Sequence, residues 1–193
     1  MKPRLNKKYQ IIYADPPWSY DDKMKNHSFS LDHEYETQDL SWIKNLKIEE
    51  LADNNCCLFL WAVSPLLPEA IEIIKAWGFK FKTVAFVWNK ITKNGIDISN
   101  LGKWTMGNIE LCLLATKGKP KRISKNVRQL VTAIRREHSR KPDEVRLRIV
   151  ELMGDIPRIE LFARNNGDKN LFGENPFDGW DVFGNETINS IKL

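Results

Sequence analysis

No apolar run in this chain approaches the roughly 20 residues that a bilayer-crossing helix needs. The opening "MKPRLNKKYQ" is basic, but only a short apolar run follows it before Asp15, which makes a poor secretory signal. These features predict a cytoplasmic protein with no membrane partner. Cysteine is scarce as well. Cys56, Cys57 and Cys112 are the only three; all lie in apolar runs and the first two are adjacent. That argues against a disulfide framework and for a reducing compartment. The three histidines, His27, His33 and His138, are scattered and share no ligand spacing with the cysteines, so no metal is expected. Internal repeats and low-complexity segments are absent too.

What is present fits one globular domain spanning residues 1–193, with 42% hydrophobic and 28% charged residues. Such a length can bury a sizeable core. The net charge is +5, and its distribution is uneven. Between Lys117 and Arg148 twelve Lys and Arg face only Glu137, Asp143 and Glu144. Such a run is either a solvated face or a surface for a polyanion, whose phosphates release counterions to clustered cations.

Five apolar runs have strand length: residues 9–14, 56–63, 81–90, 109–118 and 158–163. Apolar on both faces, they suit a central parallel sheet covered by helices. One helix is predicted from Pro65 to about Gly78, with Leu67, Ala70, Ile71, Ile74 and Trp77 inward. Another starts at Pro142 and stops near Gly154, with Val145, Ile149, Leu152 and Met153 as its core face. This alternation implies a doubly wound α/β fold. Trp61, Trp77 and Trp88 read as core. Three long segments lack a periodic pattern: 19–38, 91–108 and 165–180. In open α/β sheets such loops gather at the strand ends, where ligands bind.

The first apolar run stops at "DPPW", Asp15 to Trp18. Pro16 and Pro17 carry no backbone N–H and fix their own φ, so the corner is stiff. An ionised Asp15 offers only acceptors, and so do the neighbouring carbonyls. That surface suits an exocyclic amino group with two protons, and Trp18 can stack on the base bearing it. Two acceptors on the N–H groups favour the localised, nucleophilic amine. Attack on an adjacent methylsulfonium then needs positioning and electrostatics rather than a strong base.

"DPPW" resembles motif IV of amino-methyltransferases that use S-adenosylmethionine (SAM). The order of "ADPPW", "YET" (35–37), "LFLWAVS" (58–64), "GNIELCLLATKGKP" (107–120), "HSRKPDEV" (138–145), "IELFAR" (159–164) and "GWDVFGNE" (179–186) is similar to the permuted MT-A70-like family of N6-adenine methyltransferases. The resemblance implies a Rossmann-like methyltransferase sheet flanked by helices. Its catalytic half, about 9–120, would precede most of the SAM-binding half, about 138–187. Matched positions make Asp15, Pro16, Pro17 and Trp18 the target-amine site and put Tyr35 near the substrate. Asp15, Lys141, Phe162, Arg164, Asn185 and Glu186 would surround SAM. Glu110 lies in a matching stretch without a firm role, and Glu160 is expected to pair with a base on one sheet face. A cation at Lys141, just before a helix, opposes the macrodipole, which suggests a residue held for an anion such as the carboxylate of SAM. Three departures bear on the cofactor contacts. Little chain precedes the first strand, the stretch 165–179 is long, and neither Asn165 nor Asn166 is the histidine of the eukaryotic catalytic subunit.

The reading is SAM-dependent methylation of adenine N6 in nucleic acid, DNA favoured over RNA. Lys119, Lys121 and Arg122 are expected to hold the backbone near the interface of a homodimer. Two alternatives stand beside it: a non-catalytic nucleic-acid-binding partner of an active methyltransferase, and a SAM enzyme for a small amine or protein glutamine. The intact "DPPW" argues against the first and the basic tract against the second.

Overall fold

The computed structural model describes residues 7–18, 40–101, 104–136, 140–163, 177–184, 187 and 189–191. The five apolar runs become the strands β1 (Tyr9–Ala14), β2 (Ala52–Ala62), β3 (Lys80–Ile91), β4 (Ile109–Lys117) and β6 (Arg158–Leu161). Sequence reading missed two more, β5 (Leu130–Ile134) and β7 (Trp180–Phe183). Each lies at an edge of the sheet, whose order is β5-β3-β4-β2-β1-β6-β7. An edge strand is only partly covered, so its sequence is not a continuous apolar run.

Six strands run in one direction and β4 runs against them, antiparallel to both β2 and β3. The expectation of a purely parallel sheet is corrected at this strand. The chain between β3 and β4 folds straight back without the crossover helix that a parallel neighbour requires. β1 sits between β2 and β6. The chain leaves β1 toward one side of the sheet and returns later on the other, which makes its C-terminal end a switch point and hence the ligand crevice.

Both faces are covered. Ile12, Ala14, Leu58, Leu60 and Leu161 pack with α1 (Leu40–Asn45) and α2 (Leu67–Ala76). On the opposite face Ile11, Tyr13, Phe59, Trp61, Trp88 and Cys112 pack under α3 (Asp143–Met153). In α2 the inward residues are Ala70, Ile73 and Ile74, so Ile73 takes the place predicted for Ile71, and Trp77 follows as the buried cap. In α3 Leu152 is only half-buried, and Arg146 joins Val145, Ile149 and Met153 inside. Trp61, Trp77 and Trp88 are core as expected, and their indole N–H groups donate to Tyr13 Oη at 2.6 Å, Ile43 C=O at 2.9 Å and Ala133 C=O at 3.0 Å. Among the described residues no helix is long and apolar enough to cross a membrane.

Candidate active site

β1 ends where Asp15 N–H reaches Leu161 C=O of β6 at 3.5 Å, and two prolines stop the ladder. The Trp18 N–H folds back onto Pro16 C=O at 2.9 Å, which tightens the corner. Pro16 is buried and Pro17 half-buried. The Trp18 ring packs on the α1–α2 side of the core, and its indole N–H is buried with no acceptor among the described residues. Such an orphaned donor is rare in a folded chain and costly to keep.

Asp15 faces Lys141. The ammonium Nζ donates to Asp15 Oδ2 at 2.7 Å and lies 3.2 Å from Glu110 Oε2. The other oxygen of Glu110 pairs with Lys90 at 2.5 Å. Lys141 is 8% exposed and Glu110 9%, so these are buried pairs. Two indoles complete the setting, with Lys141 Nζ 5.5 Å from the Trp61 ring centroid and Lys90 Nζ 5.2 Å from that of Trp88. Burial alone would lower the Lys141 pKa, but the Asp15 and Glu110 carboxylates outweigh it and raise it. Burial alone would raise the Glu110 carboxyl, but Lys141 and then Lys90 hold it below the ordinary value. Acids and bases alternate from Asp15 through Lys141 and Glu110 to Lys90. Lys141, expected ahead of α3 for the carboxylate of SAM, thus already faces two carboxylates of the protein itself.

Strand direction makes this cluster. Glu110 is the second residue of β4 and sits opposite Trp88 of β3. Because β4 runs backward, its first residues lie beside the last residues of its neighbours. The same reversal carries the other end of β4 away: Lys117 pairs with Cys56, at the start of β2. Glu110 and Lys117 are seven residue steps apart along the strand, about 23 Å at ~3.3 Å per residue. Lys119, Lys121 and Arg122 follow at that far end, where the Lys119 N–H donates to Asn55 Oδ1 at 2.7 Å. The structure does not bring them to Asp15.

Phe162 follows β6 with φ 63°, a left-handed conformation for a bulky side chain. Such a residue costs on the order of 1–3 kcal/mol and persists where surroundings over-determine it. Ala163 N–H bonds Phe183 C=O at 3.1 Å, and a Cβ on Gly184 would meet Ala163 C=O at 2.0 Å, so the ends of β6 and β7 are locked together without room for a side chain. Asp15, Pro16, Pro17, Trp18, Lys141 and Phe162 therefore share the C-terminal end of β1 and β6. Tyr35, Arg164, Asn185 and Glu186 lie outside the described residues.

A second buried network supports the first. Arg146 of α3 grips both oxygens of Glu160 on β6 at 2.6 Å and donates to Asp143 Oδ1 at 2.9 Å. Its guanidinium lies 4.2 Å from the Phe177 ring centroid and 5.5 Å from that of Tyr13. Burial pushes the Glu160 carboxyl up, while Glu160 raises Arg146 against its own burial penalty. These directions oppose one another, and the bidentate geometry decides for the ionised pair. Glue of this kind fixes α3, and hence Lys141, against β6. The expectation that Glu160 pairs with a base holds. In the sequence Arg146 is one cation of the basic run, and its place between Val145 and Ile149 near the inner helix face is the signal of its burial.

The three cysteines are free and buried, and burial alone pushes the Cys57 thiol up to about 12, so nucleophilic thiol chemistry has no footing here. Among the described residues no cluster could hold a metal ion.

The MT-A70 family model matches residues 9–186, nearly the whole chain. This chain belongs to the MT-A70 family. Among the proteins similar to it is the Type II methyltransferase M.MunI of a Mycoplasma species, 37% identical over 93% of this chain and 78% of that protein. The N(6)-adenosine-methyltransferase MT-A70-like protein of Arabidopsis thaliana is 27% identical, and the Homo sapiens N(6)-adenosine-methyltransferase catalytic subunit METTL3 is 26% identical. Both match over 96% of this chain, which spans only 24% and 29% of their lengths.

Proposed function

We propose that this chain transfers a methyl group from SAM to N6 of adenine in nucleic acid, with DNA preferred over RNA. The observation that carries it is the Asp15 corner: a carboxylate at a sheet switch point, beside two residues without backbone N–H and against a buried ammonium. The residues fit SAM, whose amino-acid part carries one cation and one anion, because Asp15 and Lys141 offer the complementary pair in the same crevice. When bound, SAM supplies the methyl group as an electrophile. Asp15 accepts an N–H of the target amine, and the Pro16 carbonyl, which also accepts from the Trp18 N–H, takes the other. The nearby walls of Trp18 and Phe162 help exclude water. Lys141 orients Asp15 and can answer a carboxylate, while Glu110 and Lys90 keep Lys141 charged and in place. The preference for DNA rests on the 37% identical relative being named a type II methyltransferase.

The test is transfer from tritiated SAM to single- and double-stranded DNA and RNA, followed by nucleoside analysis. Label in N6-methyladenine is expected, more from DNA. Label in another base, or in protein alone, would overturn the reading, and SAM binding without transfer would point to a non-catalytic partner.

Lys141→Ala is expected to weaken SAM binding by about 1.5–3 kcal/mol, the range for hydrogen bonds to charged groups. Turnover should stay depressed at saturating SAM, because Asp15 then loses its 2.7 Å partner. Calorimetry and a SAM titration of the initial rate check both; an unchanged dissociation constant would confine Lys141 to orienting Asp15.

The same reading includes a homodimer in the cytoplasm. The β5 edge offers a surface for it, with Leu130 56% and Ile134 43% exposed. Light scattering should give twice the 22.5 kDa chain mass, and a single-chain mass at assay concentration would remove the dimer. Lys119, Lys121 and Arg122 then serve only backbone that runs past the far end of the sheet.

A further inference from the structure

The connection between β3 and β4 is tied at its stem and apolar at its tip. Asn89 Nδ2 donates to Asp97 Oδ1 at 2.9 Å, and Ile98 N–H donates to Lys90 C=O at 2.9 Å. Asn100 and Gly107 exchange two backbone hydrogen bonds, both 2.9 Å. Beyond that pair, Leu101 is 95% exposed, Trp104 97% and Met106 60%. Scattered apolar side chains on a surface need no explanation, but a group of this size held out on a hydrogen-bonded stem marks an interaction site. The methyl-transfer chemistry uses none of these three residues.

Its position narrows the occupant. The stem rises from Ile91 and Ile109, at the sheet end that carries Glu110 and, through Lys141, Asp15. Beside it Arg135 N–H bonds Ile91 C=O at 3.0 Å. Arg135 and the stem residue Lys93 are exposed, and neither pairs with a carboxylate among the described residues. Apolar tip and free cations together suit a polyanion with stacked rings inside it. In a duplex, N6 of adenine is hydrogen-bonded to its partner, so the base must leave the stack before Asp15 can reach it. Proteins that hold a duplex open commonly fill the gap with an apolar side chain.

We propose that this hairpin is a wedge: Trp104, flanked by Leu101 and Met106, enters the base stack of duplex nucleic acid beside the extruded adenine, while Lys93 and Arg135 take the adjoining phosphates. The proposal rests on the methyl-transfer reading but is tested apart from it. Initial rates of transfer from tritiated SAM would be measured on native plasmid DNA and on the same DNA heat-denatured, for the natural protein and for Trp104→Ala. The native-to-denatured rate ratio should fall about tenfold in the variant, the size of one lost base–aromatic contact. An unchanged ratio, whether both rates fall together or neither does, overturns the wedge. So does transfer by the natural protein to denatured strands alone.

A second measurement needs no methyl transfer. Closed-circular plasmid is relaxed by a type I topoisomerase with the protein bound, then stripped of protein. Wedge insertion unwinds the helix and leaves negative supercoils, which Trp104→Ala should abolish. Supercoils without methylation would keep the wedge and remove the methyl-transfer reading; methylation without supercoils would do the reverse. If light scattering shows that Trp104→Ala converts a dimer to monomer, the tip is a contact between chains and the wedge is wrong.

Discussion

Replacing Asp15 with Ala is expected to reduce methyl transfer on the order of a hundredfold or more, with the domain still folded. Asp15 supplies the acceptor on which the target amine depends, and removal of one preorganised electrostatic partner typically has that effect. The fold should survive because the carboxylate lies at a strand end, 19% exposed, outside the packed layers. Lys141 keeps its second partner, Glu110, so no buried cation is stranded. Asp15→Asn sharpens the test. It preserves shape, yet its amide offers N–H donors that can meet the amine's own. Both variants should therefore fail, at saturating SAM and nucleic acid, while circular dichroism and melting stay near normal. Turnover close to that of the natural protein in either would end the proposed role of Asp15.

The largest loss of stability is expected from Arg146→Met. Glu160 is 5% exposed and accepts a hydrogen bond from Arg146 on each of its two oxygens at 2.6 Å. Breaking a buried pair by removing one partner typically costs about 3–5 kcal/mol, because an uncompensated charge stays inside. For a domain of this size that lowers the melting temperature on the order of 10 °C. The double variant Arg146→Met with Glu160→Leu should regain much of the loss, since replacing both partners with apolar groups is often close to neutral. The exposed pair Lys47–Glu50, with both side chains more than half exposed, should matter little by comparison. Thermal melts of the three proteins decide the matter: a single variant as stable as the natural protein, or a double variant no better than the single, would refute this account of the pair.

The sequence by itself determined the strands of the sheet interior, since runs such as "CCLFLWAV" and "IELCLLATKG" are apolar on both faces and cannot be covered on one side only. It also determined the corner at Asp15, because two consecutive prolines cannot continue a ladder, and the helix after Pro142, whose first turn carries Asp143 and Glu144. The family was legible from the order of short motifs between Ala14 and Glu186. Only the tertiary structure decided which way β4 runs. A strand buried on both faces reads the same in either direction, so nothing local told Glu110 from Lys117 as the residue facing the crevice. That one reversal placed Glu110 against Lys141 and sent Lys119, Lys121 and Arg122 to the far end of the sheet. Tertiary packing also separated the twelve cations of one sequence run. Lys141 and Arg146 went inside because Asp15, Glu110 and Glu160 arrive from β1, β4 and β6 to meet them, strands distant in sequence, while Lys119, Lys121, Arg122 and Arg135 meet no such partners among the described residues and stay exposed.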